Sequence, residues 1–371
     1  PQIGEEIKRM PLDQVFSPEH IKTENGLTIE EGTRTIDQYE ASNFLAAGYV
    51  HTQLPLGSFN VNAGLRMEYN LQQLHSTNDA GAPLEVHNPV WSPLGFLNVD
   101  YLISDKMQLR FAYGRTVNRP EFRELAPFMF YDFKMDASKV GNPNLKTAYV
   151  NNFDFRYEVY PREGEAYSIG AFYKKFINPI ETQIFVMTEQ PGLGFLNAES
   201  AYNYGAELEV RKSLQGVTGN RFMDRFSVNV NASLIRSEVS YGDSVARAQD
   251  SKRPLQGQSP YIINAGLHYR DDNARMQFSA GYNIFGSRIY AVGSYLFPTI
   301  YEMPRHALDL TVSKKFGEHV GLKFGIQDVL NARYRFYQDS DVNSVADAKK
   351  DHPIFTYKRG SLYTMTFTYD F

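Results

Sequence analysis

Along most of this chain apolar and polar residues alternate one for one, the period of a β-strand whose two faces meet different surroundings. The C-terminus is the clearest case: Tyr363, Met365, Phe367, Tyr369 and Phe371 interleave with Thr364, Thr366, Thr368 and Asp370. Phe59, Val61, Ala63, Leu65, Met67 and Tyr69 interleave in the same way with Asn60, Asn62, Gly64, Arg66, Glu68 and Asn70. The rhythm returns around 107–113, 153–159, 206–210, 226–234, 263–269, 276–284, 308–312 and 320–326, and predicts about thirteen strands. Most reach the roughly 9–11 residues that a tilted strand needs to cross a bilayer. No long helical period appears and no Gly/Ser- or Pro-rich linker splits the chain, so residues 1–371 read as one domain.

The connections sort by length. Short turns at 55–57, 104–106, 161–164, 271–273 and 317–319 alternate with longer polar or mixed segments near 75–90, 118–145, 178–200, 241–257, 293–302 and 337–355. A link near 213–224 is the main exception. Tight turns on one rim and long loops on the other characterise an outer-membrane barrel, whereas a sandwich or propeller has no reason to sort its loops. The polar alternate positions include Arg66, Glu68, Arg110, Asp154, Arg156, Glu158, Glu207, Glu209 and Arg211. These would be the solvated face of a soluble sandwich or the wet interior of a barrel. Loop sorting favours the interior. Arg66, Glu68, Arg110, Arg156, Glu207 and Glu209 thus become candidates to face a lumen or a plug, with Asn60, Asn62, Asn152, Asn229, Asn231 and Asn264 as hydrogen-bonding neighbours. The expected fold is all-β, a transmembrane antiparallel β-barrel. If Phe371 ends on the short-turn rim, counting back about thirteen strands puts residues 1–38 on the opposite side. An odd number cannot close with antiparallel neighbours, so further strands are expected before Pro1.

Composition sharpens this picture without overturning it. Mean hydropathy is −0.42 and no run of 18 apolar residues exists, which excludes a helical membrane protein but not a barrel, whose alternation averages to a soluble-looking value. The 25 Tyr and 26 Phe suit girdles where rings meet lipid and hydroxyls meet water. A net charge of −4 gives no basic footprint for nucleic acid. The absence of cysteine removes disulfide scaffolds, thiolate zinc sites and cysteine nucleophiles.

No catalytic constellation is visible: H-E-x-x-H, G-x-S-x-G, Walker and dinucleotide motifs are all missing, and the eight His are scattered without ligand spacing. No enzyme activity, cofactor or metal is expected. Asp339-Ser340-Asp341-Val342-Asn343 opens like a calcium loop, but Ser344 and Lys350 stand where Gly and Glu are needed, so an acidic outer loop is the better reading. The long segments carry rings: Phe122, Phe128, Phe130, Tyr131 and Phe133 in one, Tyr290, Tyr295, Phe297 and Tyr301 in another. Phe128, Phe130, Tyr131, Tyr295, Phe297 and Tyr301 are candidate ligand contacts, with loop packing or an upper girdle as the competing reading.

Residues 112–125 read AYGRTVNRPEFREL, 141–146 read GNPNLK, 327–334 read QDVLNARY, and the chain ends in Phe371. This ordered set resembles the C-terminal half of a TonB-dependent outer-membrane receptor, most of all receptors of the Bacteroidota. Arg115, Arg119, Pro120, Glu124, Leu125, Asn142, Pro143, Leu145, Asn331, Tyr334 and Phe371 carry the likeness; Thr147 departs from it where many relatives have Pro. The resemblance implies a bacterial outer-membrane location and a barrel of about 22 strands, plugged by an N-terminal domain. It also implies TonB contacting a region outside this chain, and a small-molecule, glycan or peptide ligand. Outer-membrane lipid is the surrounding partner and a surface lipoprotein a further candidate. Phe371 would be the barrel-assembly signal. A passive porin-like or structural barrel is the alternative.

Overall fold

The computed structural model describes residues 9–21, 27–28, 37–77, 80–132, 137–186, 191–240, 252–294 and 296–371. β1 (Glu40–Leu56), β2 (Phe59–Thr77), β3 (Pro83–Ser104) and β4 (Met107–Asn118) follow one another as hairpins. The next connection holds a one-turn helix, Phe122–Leu125, and the short strands β5 (Met129–Asp132) and β6 (Ala137–Val140). β7 (Ala148–Val159) and β8 (Ala166–Ile177) come next, then β9 (Ile180–Val186) and β10 (Pro191–Asn197) within a loop. β11 (Ser200–Ser213), β12 (Phe226–Ser240), β13 (Tyr261–Asp271) and β14 (Met276–Phe285) continue the wall. β15 (Arg288–Ala291) and β16 (Ile300–Glu302) lie in a loop before β17 (His306–Phe316) and β18 (Val320–Gln327). β19 (Tyr334–Gln338) and β20 (His352–Tyr357) form the last loop sheet, and β21 (Leu362–Tyr369) ends the wall.

Thirteen of these strands form one antiparallel sheet in the order β1-β2-β3-β4-β7-β8-β11-β12-β13-β14-β17-β18-β21, the number that the alternation predicts. Register holds the two faces apart. Phe111, Phe155, Ala171, Ala206 and Leu234 are aligned across β4, β7, β8, β11 and β12. One residue away, on the opposite face, the aligned set is Arg110, Arg156, Gly170, Glu207 and Ser233. Gly170 leaves room for its neighbour: a Cβ there would lie 3.0 Å from the Arg156 Cγ.

The apolar face is widely exposed, with Leu208 at 47%, Leu234 at 68% and Met365 at 73%. A continuous apolar surface of this extent far exceeds the few hundred Å² that soluble monomers tolerate. Aromatic pairs bound it at both ends: Phe59–Tyr101 (4.6 Å between ring centres) and Phe226–Tyr269 (5.0 Å) near the short turns, Tyr69–Trp91 (4.9 Å) and Tyr113–Phe153 (5.0 Å) near the long loops. Phe59 and Tyr69 face the same way on β2. At about 3.3 Å per residue and a tilt of about 45°, the span between them rises roughly 23 Å, close to the apolar band of outer-membrane barrels.

The long loops pair with one another. β5-β6-β10-β9 and β15-β16-β19-β20 are two four-stranded sheets. A parallel bridge between Gln183 and Val292, with Ile184 N–H donating to the Val292 carbonyl at 2.8 Å, joins them. Residues 75–90 depart from expectation: most are strand, with β2 running to Thr77 and β3 starting at Pro83. Their polar residues belong to a hairpin standing above the apolar band, where both faces can be polar. The longer link at 214–225 is a turn closed by a 3-10 helix at Met223–Arg225.

Candidate functional site

The polar face is knitted by charge. Arg110 reaches Asp100 (3.2 Å) and Glu158 (3.5 Å); Arg156 reaches Glu158 (3.4 Å) and Glu209 (3.0 Å) and donates to Ser168 (2.8 Å). Arg211 lies 3.6 Å from Glu209, and the Ser233 hydroxyl donates to Glu207 at 3.3 Å. The Gln108 amide and the Tyr160 hydroxyl also donate to Glu158, at 2.6 and 2.8 Å. A ladder of alternating charge therefore crosses β3, β4, β7, β8, β11 and β12. It borders a recess of about 460 Å³ between Asn62, Asp100, Arg110, Asp154 and Glu207. All six sequence candidates, Arg66, Glu68, Arg110, Arg156, Glu207 and Glu209, share this face by register.

The motif after β4 is a latch onto that face. Arg119 Nη2 donates to Glu68 Oε2 (2.5 Å), and Arg66 Nε donates to the other Glu68 oxygen (2.6 Å). Gln72 Nε2 donates to the Pro120 carbonyl at 2.9 Å. Above them Leu74, Val86, Leu125, Ala126 and Leu145 form a buried core, so the loop is folded over the polar side of β2 and β3. Asn142 continues the binding: its N–H donates to the Glu124 carbonyl (2.6 Å) and its amide to the Phe195 carbonyl (3.0 Å). Gly141 has no alternative, because a Cβ would lie 2.1 Å from the Ala126 carbonyl oxygen. Pro143 lies in the short turn behind Asn142, and β7 starts at Ala148 after a buried Thr147.

The motif before β19 turns the chain. Asp328 and Asn331 adopt left-handed backbone (φ 51° and 42°), where short polar side chains are favoured. Arg305 donates to Asp328 at 2.9 Å, and the Gly360 N–H donates to the Asn331 side chain at 3.2 Å. Arg115 faces the apolar side, its guanidinium 4.6 Å from the centre of the Tyr149 ring. Phe371 is exposed and edge-on to Tyr369 at 5.2 Å, beside the lower girdle.

Outside the wall, Arg253 and Glu181 make a bidentate pair (3.0 and 2.7 Å) with side chains 3% and 1% exposed. The Gln256 N–H donates to the same carboxylate at 2.9 Å; its side chain accepts from the Thr182 N–H and donates to the Tyr290 carbonyl. Three loops meet there. Neither this clamp nor Gln72 is signalled by any local sequence pattern. Asp339, Asp341 and Asp351 bring carboxylate oxygens within 4.8 Å of one another. Asp339 accepts from the N–H groups of Asn343 and Ser344, and Asp351 from those of Ser340 and Asp347. Two of the three carboxylates thus hold the loop's own backbone.

The loop aromatics divide. Phe128 packs on the Leu125 core and stacks on Tyr39 at 5.5 Å; Phe130 lies 6.0 Å from Phe128 with the Arg123 guanidinium 5.5 Å from its ring centre. Phe297 packs on the core of Ile184, Leu193, Ala291, Ile300 and Phe336, and Tyr301 is buried at 7% beside Ile289, Val292 and Met303. Loop packing thus takes up much of Phe128, Phe297 and Tyr301, as the competing reading has it, while Tyr131 is exposed at 47%. Tyr295 and Phe133 lie outside the described residues.

Residues 21–358 match the model of the outer membrane protein beta-barrel family. The chain belongs to that family. A bacterial outer-membrane location follows, in keeping with the two-faced wall and its girdles. Solved structures with the same fold include the ferric enterobactin receptor PfeA of Pseudomonas aeruginosa (14% identity, 89% of this chain and 54% of that one, TM-score 0.56). The copper transporter OprC matches at 13% identity over 90% of this chain and 48% of that one (TM-score 0.61). The ferric citrate transporter FecA matches at 14% identity over 90% and 46% (TM-score 0.60). This barrel chain spans about half the length of the solved receptors it matches. No curated protein sequence matches it.

Proposed function

We propose that this chain is the C-terminal part of the barrel of a TonB-dependent receptor that imports a scarce ligand. The complete barrel would have about 22 strands and enclose a plug supplied from outside this chain. The observation that carries the reading is the ion-paired polar face roofed by interlocked loops. A passive pore needs an open mouth, whereas here the Arg119–Glu68 latch and the Arg253–Glu181 clamp hold structured loops over the outer end. The receptor-like motifs at 112–125, 141–146 and 327–334 and the likeness to solved receptors support the same reading. The ligands those receptors are named for, ferric enterobactin, copper and ferric citrate, make metal ions and their chelates the first ligands to try. Glycans and peptides follow, and a surface lipoprotein is a candidate partner. Tyr131, Phe130 and the charged residues of the polar face are the proposed contacts.

The test is uptake by cells that carry the intact protein, with and without a working TonB and with and without the inner-membrane proton gradient. Uptake that needs both supports the proposal. Large steady conductance of the intact protein in planar bilayers, with uptake indifferent to TonB, would overturn it in favour of a passive barrel.

A further inference from the structure

Register assigns every wall residue to the polar or the apolar side, and the apolar side is almost free of charge. The cations that register places there are Arg115, Lys175 and Arg236 towards the long loops, and Lys212 and Lys314 towards the short turns. The first three stand eight, nine and ten residues along β4, β8 and β12 from the short-turn ends at Met107, Ala166 and Phe226, and so at one level. At about 3.3 Å per residue and about 45° of tilt, that level is roughly 20 Å above the lower girdle, the depth of the outer headgroups.

The three also lack acidic partners. Among the described residues none of them makes an ion pair, whereas Arg66, Arg110, Arg156 and Arg211 on the polar face all do. Lys212, at the opposite rim, is paired with Glu165 at 3.0 Å. Arg115 lies over Tyr149, with its Nε buried and lacking a hydrogen-bond partner. Lys175 and Arg236 are exposed. Arg236 is aligned with the aromatic row Tyr113, Phe153, Tyr173 and Tyr204. Lys175 shares the next row with Arg115, Asn151, Tyr202 and Glu238. Glu238, the acid in that row, is aligned with Tyr202 on the neighbouring strand. The patch keeps a positive excess at the boundary of an apolar surface. Leaving cations unpaired against hydrocarbon is unfavourable unless a headgroup supplies the counter-charge.

We propose that Arg115, Lys175 and Arg236 form a docking surface for the phosphate-bearing headgroup of an outer-leaflet lipid. The acyl chains would lie on the apolar rows of β4 to β12, below Tyr113, Phe153, Tyr173 and Tyr204. Guanidinium forks and an ammonium suit phosphate oxygens, and the aromatic row suits the join between headgroup and chains.

The experiment is native mass spectrometry of the intact protein in mild detergent, titrated with bis-phosphorylated lipid A. Dephosphorylated lipid A and inorganic phosphate are the comparison probes. The proposal expects saturable binding that the R115Q/K175Q/R236Q variant loses about a hundredfold, near fivefold per cation. It expects K212Q/K314Q to bind as the parent does and inorganic phosphate not to displace the lipid. Equal binding by the triple variant, equal binding of dephosphorylated lipid, or equal loss in K212Q/K314Q would overturn it. So would displacement by inorganic phosphate, which would mark a free-phosphate site. Should the triple variant assemble poorly, the K175Q and R236Q single variants, whose side chains are exposed, carry the same comparison.

Discussion

Glu68 shows how a single side chain ties a loop to the wall. Only 7% exposed, it receives Arg66 from its own strand and Arg119 from the loop after β4. Replacing Arg119 by Ala removes a hydrogen bond to a charged group, a loss of about 2 kcal/mol. Because Arg66 remains, the effect should be local: faster amide exchange over 119–126 in R119A with β2 and β3 unchanged, whereas collapse of the wall would contradict a latch. Glu124, in the same loop, gives a pH signature. Burial raises its pKa above the ordinary 4.5, with the Glu121 charge adding and a hydrogen bond from the Glu121 N–H opposing. A raised carboxyl stabilises the folded loop fully below 4.5, and that contribution is lost as pH rises through the folded value. Exchange over 121–126 should therefore quicken with pH in that window beyond its intrinsic rise, and Glu124→Gln should flatten the excess. The Arg119–Glu68 link was not legible in the sequence, because the two residues are 51 apart and the loop had first to be placed over β2.

Elements differ in how much of themselves they announce. Each wall strand has lipid on one face and polar groups on the other, so its alternation is visible without knowing any partner. Strands in the loop sheets have no such contrast. β6 pairs in parallel with β10, Lys139 opposite Leu193, and a three-residue strand such as β16 has too few residues to show a period. For the same reason 75–90 was expected to be a loop: above the apolar band the hairpin of β2 and β3 loses the apolar half of its pattern. The aromatic loop residues were legible as important but not as packed, since a ring in a core and a ring awaiting a ligand look alike in sequence. Pairing across loops makes the cap one element, with the Arg253–Glu181 clamp at its centre. Arg253→Met leaves the Glu181 carboxylate buried without its partner, which costs on the order of 3 kcal/mol. Limited proteolysis of R253M should cut within 178–199 and 252–260 well before the wall opens. Resistance equal to the parent's would mean that the remaining contacts suffice.

At the scale of the whole molecule, everything depends on which medium each face meets, and neighbouring residues of one strand can decide it. Asn231 lies on the polar face opposite Glu209, and Ala232 lies on the apolar face between Leu208 and Ile263. Arginine at 231 would join a wet, acid-bearing surface and should change stability by less than about 1 kcal/mol. Arginine at 232 would project into hydrocarbon near the middle of the band, at a cost of about 2–4 kcal/mol in barrel proteins. The helix, loop and turn content of the two variants is the same, and their sequences differ only in which of two adjacent positions carries the charge. Urea unfolding of the intact protein in lipid vesicles should therefore separate A232R from N231R by at least about 1 kcal/mol. A dry core in a soluble sandwich would give the same order, since it too excludes arginine; it is the exposure of the apolar face, with Leu234 at 68%, that sets this wall apart from one. An equal or inverted ranking would place the Leu208 and Leu234 face against water, and would undo the membrane reading of the wall together with the lipid site built on it.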